Sequence, residues 1–382
     1  MSVSPARLPF ALTLPLAGLL TACGGGGEVA PEPLSEEALA VVTDEAGAPR
    51  DQLAREVDDL FTKDGLGETR AMVLMADGNI AAERYGEGYD ADTRFVSWSM
   101  AKTVTAVLIG MLVADGKLSL DDPAPIPMWQ RRGDPRSEIT LRHLLQMRSG
   151  LRHTEAGDPP YESSEVRMLF LDGRDDMARW AEEQPPEAEP GEKFEYSSNT
   201  TVILADIAAR ALTPSKDPET RRAAVDAFLK DRLFHPLGME SVVPEYDASG
   251  TLIGGSLMHA TARDWAKFGE FLRRKGRTPA GEQLVPSRWV EAMIEPSPTA
   301  NFYGFQTWLN RPFEGETDEA QHPLFPDRAP ASLFSLIGHM GQYVLVSPDQ
   351  RLTLVRLGHS DAAQRPPMLQ EAADVLALYP SR

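Results

Sequence analysis

The sequence predicts an α/β (α+β) fold. An antiparallel sheet is formed from strands near both ends of the chain, is flanked by helices, and carries an inserted, mostly helical lobe at about residues 120–260. Two observations predict this fold: segments with strand character occur near both ends of the chain, and the middle carries apolar residues at helical spacing. Because strands distant in sequence must then pair in one sheet, the cleft between sheet and lobe is the natural ligand site.

Two turns connect strands into hairpins. The turn Asp77-Gly78-Asn79 predicts strands over Ala71–Ala76 and Ile80–Tyr85. Near the C-terminus, Ser347-Pro348-Asp349-Gln350 is the turn of a second hairpin. The segments predicted as strands near that end are "YGFQTWL", "ASLFSLIGHM", "QYVLVSPDQ" and "RLTLVRLGH".

Helical segments occupy the middle of the chain. Apolar periodicity and helix-end signals predict them between the two groups of strands, and predict a last helix at about residues 366–379 that packs back on the sheet. The middle segments are "ITLRHLLQM", "EVRMLFLDGRDDMARWAEE", "NTTVILADIAARAL", "AAVDAFLKDRLFHPL" and "ARDWAKFGEFLRRK".

The first residues predict a targeting signal. In residues 1–22, Arg7 precedes the apolar run "LPFALTLPLAGLL", and "LTAC" ends at Cys23, the only cysteine of the chain. This pattern resembles a bacterial lipoprotein signal, in which the cysteine is lipidated and becomes the N-terminus. Residues 23–34 then form a flexible linker rich in Gly and Pro, and residues 35–382 form the folded domain. We expect this domain to be tethered to the bacterial cell envelope, on its extracytoplasmic, periplasm-facing side, through a lipid on Cys23.

Composition excludes several classes of function. The chain has 382 residues, of which 42% are hydrophobic and 25% charged, as in ordinary globular proteins. Its formal charge of -19 repels phosphate backbones, so we expect no nucleic-acid partner. No zinc-type Cys/His spacing and no phosphate-binding glycine loop occur in the sequence, so we expect no metal and no cofactor. The sequence does not indicate an oligomeric state.

A serine and a lysine lie at the start of the most apolar helix. Met100–Ala114 is apolar nearly all round, which predicts a buried helix, and Ser99 and Lys102 share one face at its first turn. A buried lysine is costly unless it is paired or used. Because burial lowers the pKa of an amine, Lys102 could be the base that activates Ser99, whose backbone N–H could stabilise an oxyanion. The alternative is a helix-capping serine beside a lysine that reaches the surface.

Two further segments carry candidate site residues. Tyr196 in "PGEKFEYSSNTT" could pass a proton from the serine to a leaving group, or could be a loop tyrosine bonded to a helix cap. In "IGHMGQYVLVSP", Gly338 and Gly341 bracket His339, and glycines in a strand usually mark a close backbone approach. The backbone N–H of Gln342 could then be a second oxyanion donor. His339 could contact a substrate carboxylate or carbonyl, or could be an edge-strand histidine.

These segments together resemble a known superfamily. Ser99-x-x-Lys102, then Tyr196 in "YSSN", then "HMG" at 339–341 are similar in order and spacing to the motifs of the serine β-lactamases and penicillin-binding proteins. The resemblance covers about residues 55–380 and is strongest to the class C β-lactamase-related branch, with its 6-aminohexanoate-dimer hydrolases, family VIII esterases and D-Ala-D-Ala carboxypeptidases.

The resemblance implies both a fold and site residues. The fold is β-lactamase/transpeptidase-like, and Ser99 becomes acylated while Lys102 and Tyr196 share the proton transfers as general base and acid. The backbone N–H groups of Ser99 and Gln342 form the oxyanion hole. The residues implied in substrate binding are His339, Gly341, Ser198 and Asn199.

Two departures from the family pattern bear on the substrate. Tyr-x-Asn is replaced by Tyr196-Ser197-Ser198, with Asn199 one place late, and His339 stands where β-lactamases have a lysine. A largely neutral imidazole suits a β-lactam carboxylate less well than a permanent cation. We therefore expect an esterase or amidase acting on a small molecule or short peptide. The alternatives are an inactive penicillin-binding-like lipoprotein that binds peptidoglycan peptides, and a true β-lactamase or D-Ala-D-Ala carboxypeptidase.

Loop segments supply the walls of the predicted cleft, and their aromatic residues are candidates for an apolar lining. The candidates are Trp129, Tyr161 and Trp308, and the alternative for each is a place in the hydrophobic core.

Overall fold

Strand pairing joins the two ends of the chain, as the sequence predicts. The computed structural model describes residues 33–313 and 324–382, so the predicted signal peptide and Cys23 lie outside the described residues. Within the described residues the strands are β1 (Glu68–Ala76), β2 (Asn79–Tyr85), β3 (Phe95–Val96), β4 (Val243–Pro244), β5 (Met258–Ala260), β6 (Trp308–Leu309), β7 (Phe334–Gly338), β8 (Gln342–Ser347) and β9 (Leu352–His359).

The helices of the same residues fill the predicted middle of the chain and its two ends. They are α1 (Glu36–Ala40), α2 (Arg50–Thr62), α3 (Ala101–Ala114), α4 (Leu141–Leu145), α5 (Ser164–Phe170), α6 (Met177–Glu182), α7 (Ser198–Leu212), α8 (Pro218–Leu229), α9 (His235–Leu237), α10 (Ala262–Arg273), α11 (Ser287–Met293) and α12 (Arg365–Ala377). None of the described helices is both long enough and apolar enough to cross a membrane.

The strands form two antiparallel sheets. The larger sheet has six strands in the order β2-β1-β9-β8-β7-β6, and the smaller has the order β3-β5-β4. In the larger sheet Val73 of β1 lies opposite Val355 of β9, and Leu336 of β7 lies opposite Val344 of β8. The mixed helical and antiparallel architecture confirms the predicted fold class.

Alternate residues of the central strands face two different cores. Val73 and Val355 pack toward α10 and α3 on one face of the sheet, whereas Leu74 and Leu354 pack toward α2 and α12 on the other. A strand that is buried on both faces carries apolar residues at consecutive positions, which is what β1 and β9 show in the sequence. The edge strand β6 pairs with β7 at only two positions, so the rest of β7 is left as an open edge of the sheet.

Four predicted elements differ from the observed ones. The segment "EVRMLFLDGRDDMARWAEE" forms two helices, α5 and α6, with a break between them. The segment "YGFQTWL" contains only the two-residue strand β6. "AAVDAFLKDRLFHPL" is split by a π-helical turn, Lys230–Phe234, between α8 and α9. The predicted helix Met100–Ala114 begins as a 3-10 turn, Trp98–Met100, which continues into α3.

Helix α3 joins the sheet to the helical middle of the chain. It is buried along most of its length and packs against α7. The 3-10 turn that precedes it lies against the end of β7, so the first turn of α3 meets the sheet edge and the helical residues in one place. This junction contains the predicted Ser99 and Lys102.

Candidate active site

Ser99 lies in the 3-10 turn immediately before α3. The preceding residue, Trp98, has a φ of 45°, which is uncommon for a bulky side chain and signals a backbone held by its surroundings. Its ring packs edge-on against the His339 ring, with centroids 5.4 Å apart. The turn is therefore fixed from the side of β7, and Ser99 is exposed to a cavity.

Lys102 is buried and makes three hydrogen bonds. Its side chain is in a residue only 1% exposed, and Nζ lies 2.9 Å from Ser99 Oγ, 2.7 Å from Ser198 Oγ and 2.8 Å from the Gly255 carbonyl oxygen. An ammonium group has three N–H donors, so these partners use all of them. The predicted juxtaposition of Ser99 and Lys102 is present in the structure.

The prediction that burial leaves Lys102 with a lowered pKa is wrong. Burial does act to lower the pKa of this amine, but Tyr196, Glu155 and Glu165 oppose it, and the resulting pKa is raised. Two carboxylates beside the lysine were not foreseen from the sequence. Lys102 is therefore an ammonium group at neutral pH in this arrangement.

Tyr196 packs beside the lysine within an aromatic cluster. Its ring centroid lies 4.8 Å from Lys102 Nζ, and the neighbouring rings of Tyr303 and Trp308 lie 5.9 Å and 5.1 Å away. Burial raises the pKa of Tyr196, although Lys102 and a hydrogen bond with Ser99 act in the opposite direction. The phenol is thus a protonated group next to both members of the Ser99–Lys102 pair.

Two glutamates complete the polar cluster, and Ser198 connects them to the lysine. Ser198 Oγ lies 2.7 Å from Glu155 Oε1 and 3.1 Å from Glu165 Oε1, and its backbone N–H donates to Glu155 Oε2 at 2.6 Å. Burial and the neighbouring Glu155 raise the pKa of Glu165 to about 7. Loop and helix-start glutamates are common in any sequence, and only the fold brings this pair to Lys102.

Ser198 and Asn199 do not meet the expectation that they bind substrate. Both residues are fully buried and neither lines the cavity. Asn199 Nδ2 donates to the backbone oxygen of Ser164, and Ser164 Oγ and Ser197 Oγ lie 3.3 Å from Asn199 Oδ1. The amide therefore ties α7 to the start of α5, behind the site.

Gln342 also differs from its predicted position. It lies opposite Gly338 in the β7–β8 hairpin, and its side-chain amide bonds the backbone of His339, Met340 and Gly358. It is not part of the cavity wall, so the expected oxyanion donor is not found there. Its amide instead holds the turn that carries His339.

The backbone of His339 is better placed for that role. In an antiparallel strand alternate residues direct N–H and C=O to opposite sides, and the bond from Asn310 N to Leu333 O shows that odd-numbered residues of β7 face β6. Since β6 pairs only as far as Ser335, the backbone N–H and C=O of Ile337 lie on an open edge beside the 3-10 turn. By the same alternation the backbone N–H of His339 faces that edge, whereas its C=O accepts a hydrogen bond from the Gln342 side chain.

Glycine residues allow this edge of β7 to lie close to the 3-10 turn. A Cβ on Gly338 would lie 2.3 Å from the Ser97 carbonyl oxygen, so only glycine fits the observed spacing. Gly341 has a φ of 84° and its carbonyl accepts a hydrogen bond from Arg356. Gly341 therefore shapes the turn and does not contact the cavity, contrary to the expectation that it binds substrate.

Ser99 opens into a cavity of about 1000 Å³ with mainly apolar walls. Trp308 lines it as expected, whereas Trp129 is buried in the core and Tyr161 is 61% exposed outside it. His339 is half-buried on the wall, and burial together with Arg365 lowers its pKa, so the imidazole is neutral at pH 7. The same wall also carries the charged or ionisable residues Glu155, Glu165 and Arg365.

Arg365 is a cation that sequence reasoning missed. It is the first residue of α12 and lines the cavity, and in residues 33–313 and 324–382 its guanidinium has no ion pair and no side-chain hydrogen bond. An arginine beside Pro366 reads as an ordinary helix start in the sequence. The cavity thus holds carboxylates near Lys102 and an unpaired guanidinium near His339.

This arrangement has the parts of a nucleophilic catalytic site. A hydroxyl at the start of a helix lies within hydrogen-bond distance of an amine, and a phenol packs beside that amine. Such a set can form and break an acyl-oxygen bond on the serine.

Comparisons with known proteins give a consistent result. The family model described as Beta-lactamase matches residues 68–377. The 6-aminohexanoate-dimer hydrolase of Paenarthrobacter ureafaciens is 23% identical over 262 residues, which are 64% of this chain and 62% of that protein. The chain thus aligns with less than two thirds of the length of that relative.

Solved structures share the fold. A putative 6-aminohexanoate-dimer hydrolase from Bacillus anthracis has a TM-score of 0.63 and 22% identity, covering 80% of this chain and 79% of its own. EstCE1, a hydrolase with promiscuous acyltransferase activity, has a TM-score of 0.62 and 17% identity, covering 85% and 98% of the respective chains.

Proposed function

Because the chain belongs to the beta-lactamase family, within the serine β-lactamase and penicillin-binding-protein superfamily, we propose that it hydrolyses an amide or ester bond through an acyl-enzyme on Ser99. One observation carries the proposal: Lys102 Nζ lies 2.9 Å from Ser99 Oγ where Ser99 opens into the cavity. A buried lysine bonded to an exposed serine hydroxyl is hard to explain as a structural feature alone.

The reaction runs in two steps. Ser99 Oγ attacks the substrate carbonyl and loses its proton to the Lys102–Tyr196 pair, which returns a proton to the leaving group. The oxyanion lies between the backbone N–H groups of Ser99 and His339. A water molecule then attacks the acyl-enzyme, and the same groups move the proton in reverse.

The cavity favours an ester or linear amide over a β-lactam. β-Lactam recognition is served by a cation in the third motif, and here that position holds His339, whose pKa is lowered. The wall is mostly apolar and aromatic, with Trp98, Trp308 and Tyr343 among its residues. An acyl or leaving group with an apolar body fits such a wall.

One observation favours a second candidate. The unpaired guanidinium of Arg365 on the same cavity suits a substrate that ends in a carboxylate, as a peptide or a β-lactam does. A D-Ala-D-Ala carboxypeptidase or a β-lactamase would use it in place of the missing lysine of the third motif.

The test compares substrates on the purified chain and follows covalent adducts by intact mass. Short-chain nitrophenyl esters, a chromogenic cephalosporin and aminohexanoate dimers are offered to the wild-type chain and to Ser99→Ala. We expect ester or linear-amide turnover with an acyl adduct, both abolished by the substitution. If no substrate is turned over and no adduct depends on Ser99, the chain is a binding protein without turnover and the proposal is wrong.

Location is part of the same proposal. Residues 1–22 act as a signal peptide, and Cys23 carries the lipid that holds the domain at the cell envelope, with residues 23–34 as the linker. The substrate is then one that reaches the extracytoplasmic side of the membrane.

A further inference from the structure

The proposed function, on which this inference rests, requires Lys102 to take a proton from Ser99. The hydrogen bonds of Lys102 show why it cannot do so in the observed state. As an ammonium group it donates to Ser99 Oγ, Ser198 Oγ and the Gly255 carbonyl, and it has no lone pair to accept a proton. It can take the proton of Ser99 only after it has lost one of its own. Some group must therefore receive that proton.

Only one of the three partners can pass it on. The Gly255 carbonyl has no hydrogen to release, and Ser99 is the group that is to be deprotonated. Ser198 Oγ is a hydroxyl, so it can accept a proton on one side and release its own on the other. Its neighbours on that other side are Glu155, at 2.7 Å, and Glu165, at 3.1 Å, so Glu155 makes the shorter contact.

The geometry of Glu155 fits the role of acceptor. Its Oε2 accepts the Ser198 backbone N–H at 2.6 Å, which fixes the carboxylate with Oε1 toward the Ser198 hydroxyl. Direct transfer from the lysine is less favourable because Lys102 Nζ and Glu155 Oε1 are 3.6 Å apart, beyond a normal hydrogen bond. The connection between them therefore runs through Ser198.

We propose that Glu155, acting through the Ser198 hydroxyl, receives a proton from Lys102 and so generates the free amine that deprotonates Ser99. An N–H proton of Lys102 moves to Ser198 Oγ as the Ser198 hydroxyl proton moves to Glu155 Oε1. The products are a neutral amine, a restored hydroxyl and a carboxylic acid. The proton of Ser99 then moves to the amine as Oγ bonds the carbonyl carbon. Glu155 and Ser198 are positioning residues, since neither bonds the substrate in this scheme.

The exposure of Glu155 links this transfer to substrate binding. Its side chain is 24% exposed and lines the cavity, so a bound substrate would remove water from it. Loss of water makes a carboxylate a stronger proton acceptor. The amine would then form mainly when the cavity is filled.

Glu165 is the second carboxyl group beside the Ser198 hydroxyl. It lies on α5 with Oε1 3.1 Å from Ser198 Oγ, and its raised pKa means that it holds a proton more readily than an ordinary glutamate. The other ionisable groups whose charges interact with Glu155 are Lys102 on α3, Tyr196, Tyr303 and His339.

The pH dependence of Ser99 acylation tests this inference. A fluorophosphonate probe labels the serine without a natural substrate, and its labelling rate is measured from about pH 5 to about pH 10. For Glu155→Gln we expect labelling at neutral pH to fall by about 100-fold and to recover as pH rises, because solvent base then deprotonates Lys102. Ser198→Ala should show the same alkaline shift, and Ser198→Thr, which keeps a hydroxyl, should return toward the wild-type profile.

Control variants distinguish loss of the proton relay from loss of the folded structure. Glu162→Gln changes an exposed carboxylate on the same segment, outside the cavity, and should leave rate and profile unchanged. Thermal melting shows whether each variant folds. If Glu155→Gln does not fold, the comparison of Ser198→Ala with Ser198→Thr tests the relay. A uniform drop at every pH, or a wild-type profile in Glu155→Gln and Ser198→Ala, would overturn the relay while leaving the acyl-enzyme in place. Labelling that persists in Ser99→Ala would instead overturn the proposed function.

Discussion

Replacing Gly338 with alanine tests whether close backbone contact holds the edge of β7 at Ser99. The added Cβ would lie 2.3 Å from the Ser97 carbonyl oxygen, whereas ordinary contact begins at 3.4 Å, so the two segments must separate by about 1 Å. The strand cannot relieve this by moving the other way without opening its hairpin, because the same Cβ would lie 2.9 Å from the Cβ of Gln342. The substitution therefore moves His339 away from the serine.

The expected cost follows from that displacement. A misplacement of about 1 Å between reacting groups lowers rates by about 100-fold, which corresponds to about 2.7 kcal/mol of activation free energy. The backbone N–H of His339 is the group that moves, so the loss should appear in acylation. We expect kcat/KM to fall by about that factor.

The assay measures nitrophenyl-ester hydrolysis and fluorophosphonate labelling of Ser99, each normalised to the folded fraction from a melting curve. Gly110→Ala is the matched control. A Cβ on Gly110 would lie 2.3 Å from Trp289 Nε1, a comparable overlap in α3, but Gly110 does not line the cavity. It should lower stability while folded molecules keep their rate.

Two results would refute the reasoning. If Gly338→Ala folds fully and labels at the wild-type rate, the spacing between β7 and the 3-10 turn does not control the site. If Gly110→Ala loses as much rate per folded molecule as Gly338→Ala, the effect is a general loosening of the domain.

Three further predictions concern stability, binding and location. His153 is buried and its pKa is lowered to about 4, so the free energy of unfolding should decrease as pH falls below about 6.5. Between about pH 8 and about pH 5.5 the decrease is about 1.4 kcal/mol. Urea unfolding of His153→Gln should not show this decrease. Equal pH slopes in the two proteins would contradict this. Arg365→Gln should raise KM by about tenfold, or about 1.4 kcal/mol, for a substrate with a carboxylate but not for an uncharged ester; equal effects on both would remove the arginine from binding. Cys23→Ser should move the protein from the membrane fraction to the soluble fraction, and an unchanged distribution would contradict lipid anchoring.

Local sequence signals predicted most of the fold. The hairpin of β1 and β2 follows from its Asp-Gly turn, and β9 and α12 follow from apolar periodicity, within a few residues of their observed ends. The strand β6 is shorter than its sequence suggests, because its segment is mostly irregular and pairs with β7 at only two positions. Tertiary pairing, which the local pattern does not contain, sets that length.

The site was predicted less completely than the fold. The contact of Ser99 with Lys102 follows from helical spacing, but Glu155 and Glu165 reach Lys102 only through the packing of α5 and α7. The change of the expected oxyanion donor from Gln342 to His339 has a similar cause. The register of β7 with β8 decides whether its odd- or even-numbered residues face the open edge, and a motif in the sequence does not show that register.

The pairing of β1 with β9 also constrains how the protein can be made. A ribosome finishes β1 long before it reaches β9, and the interior strand β9 separates β1 from β8. The six-stranded sheet can therefore not be completed until nearly the whole chain has been synthesised. A chain cut short before β9 would lack the strand that joins β1 to β8.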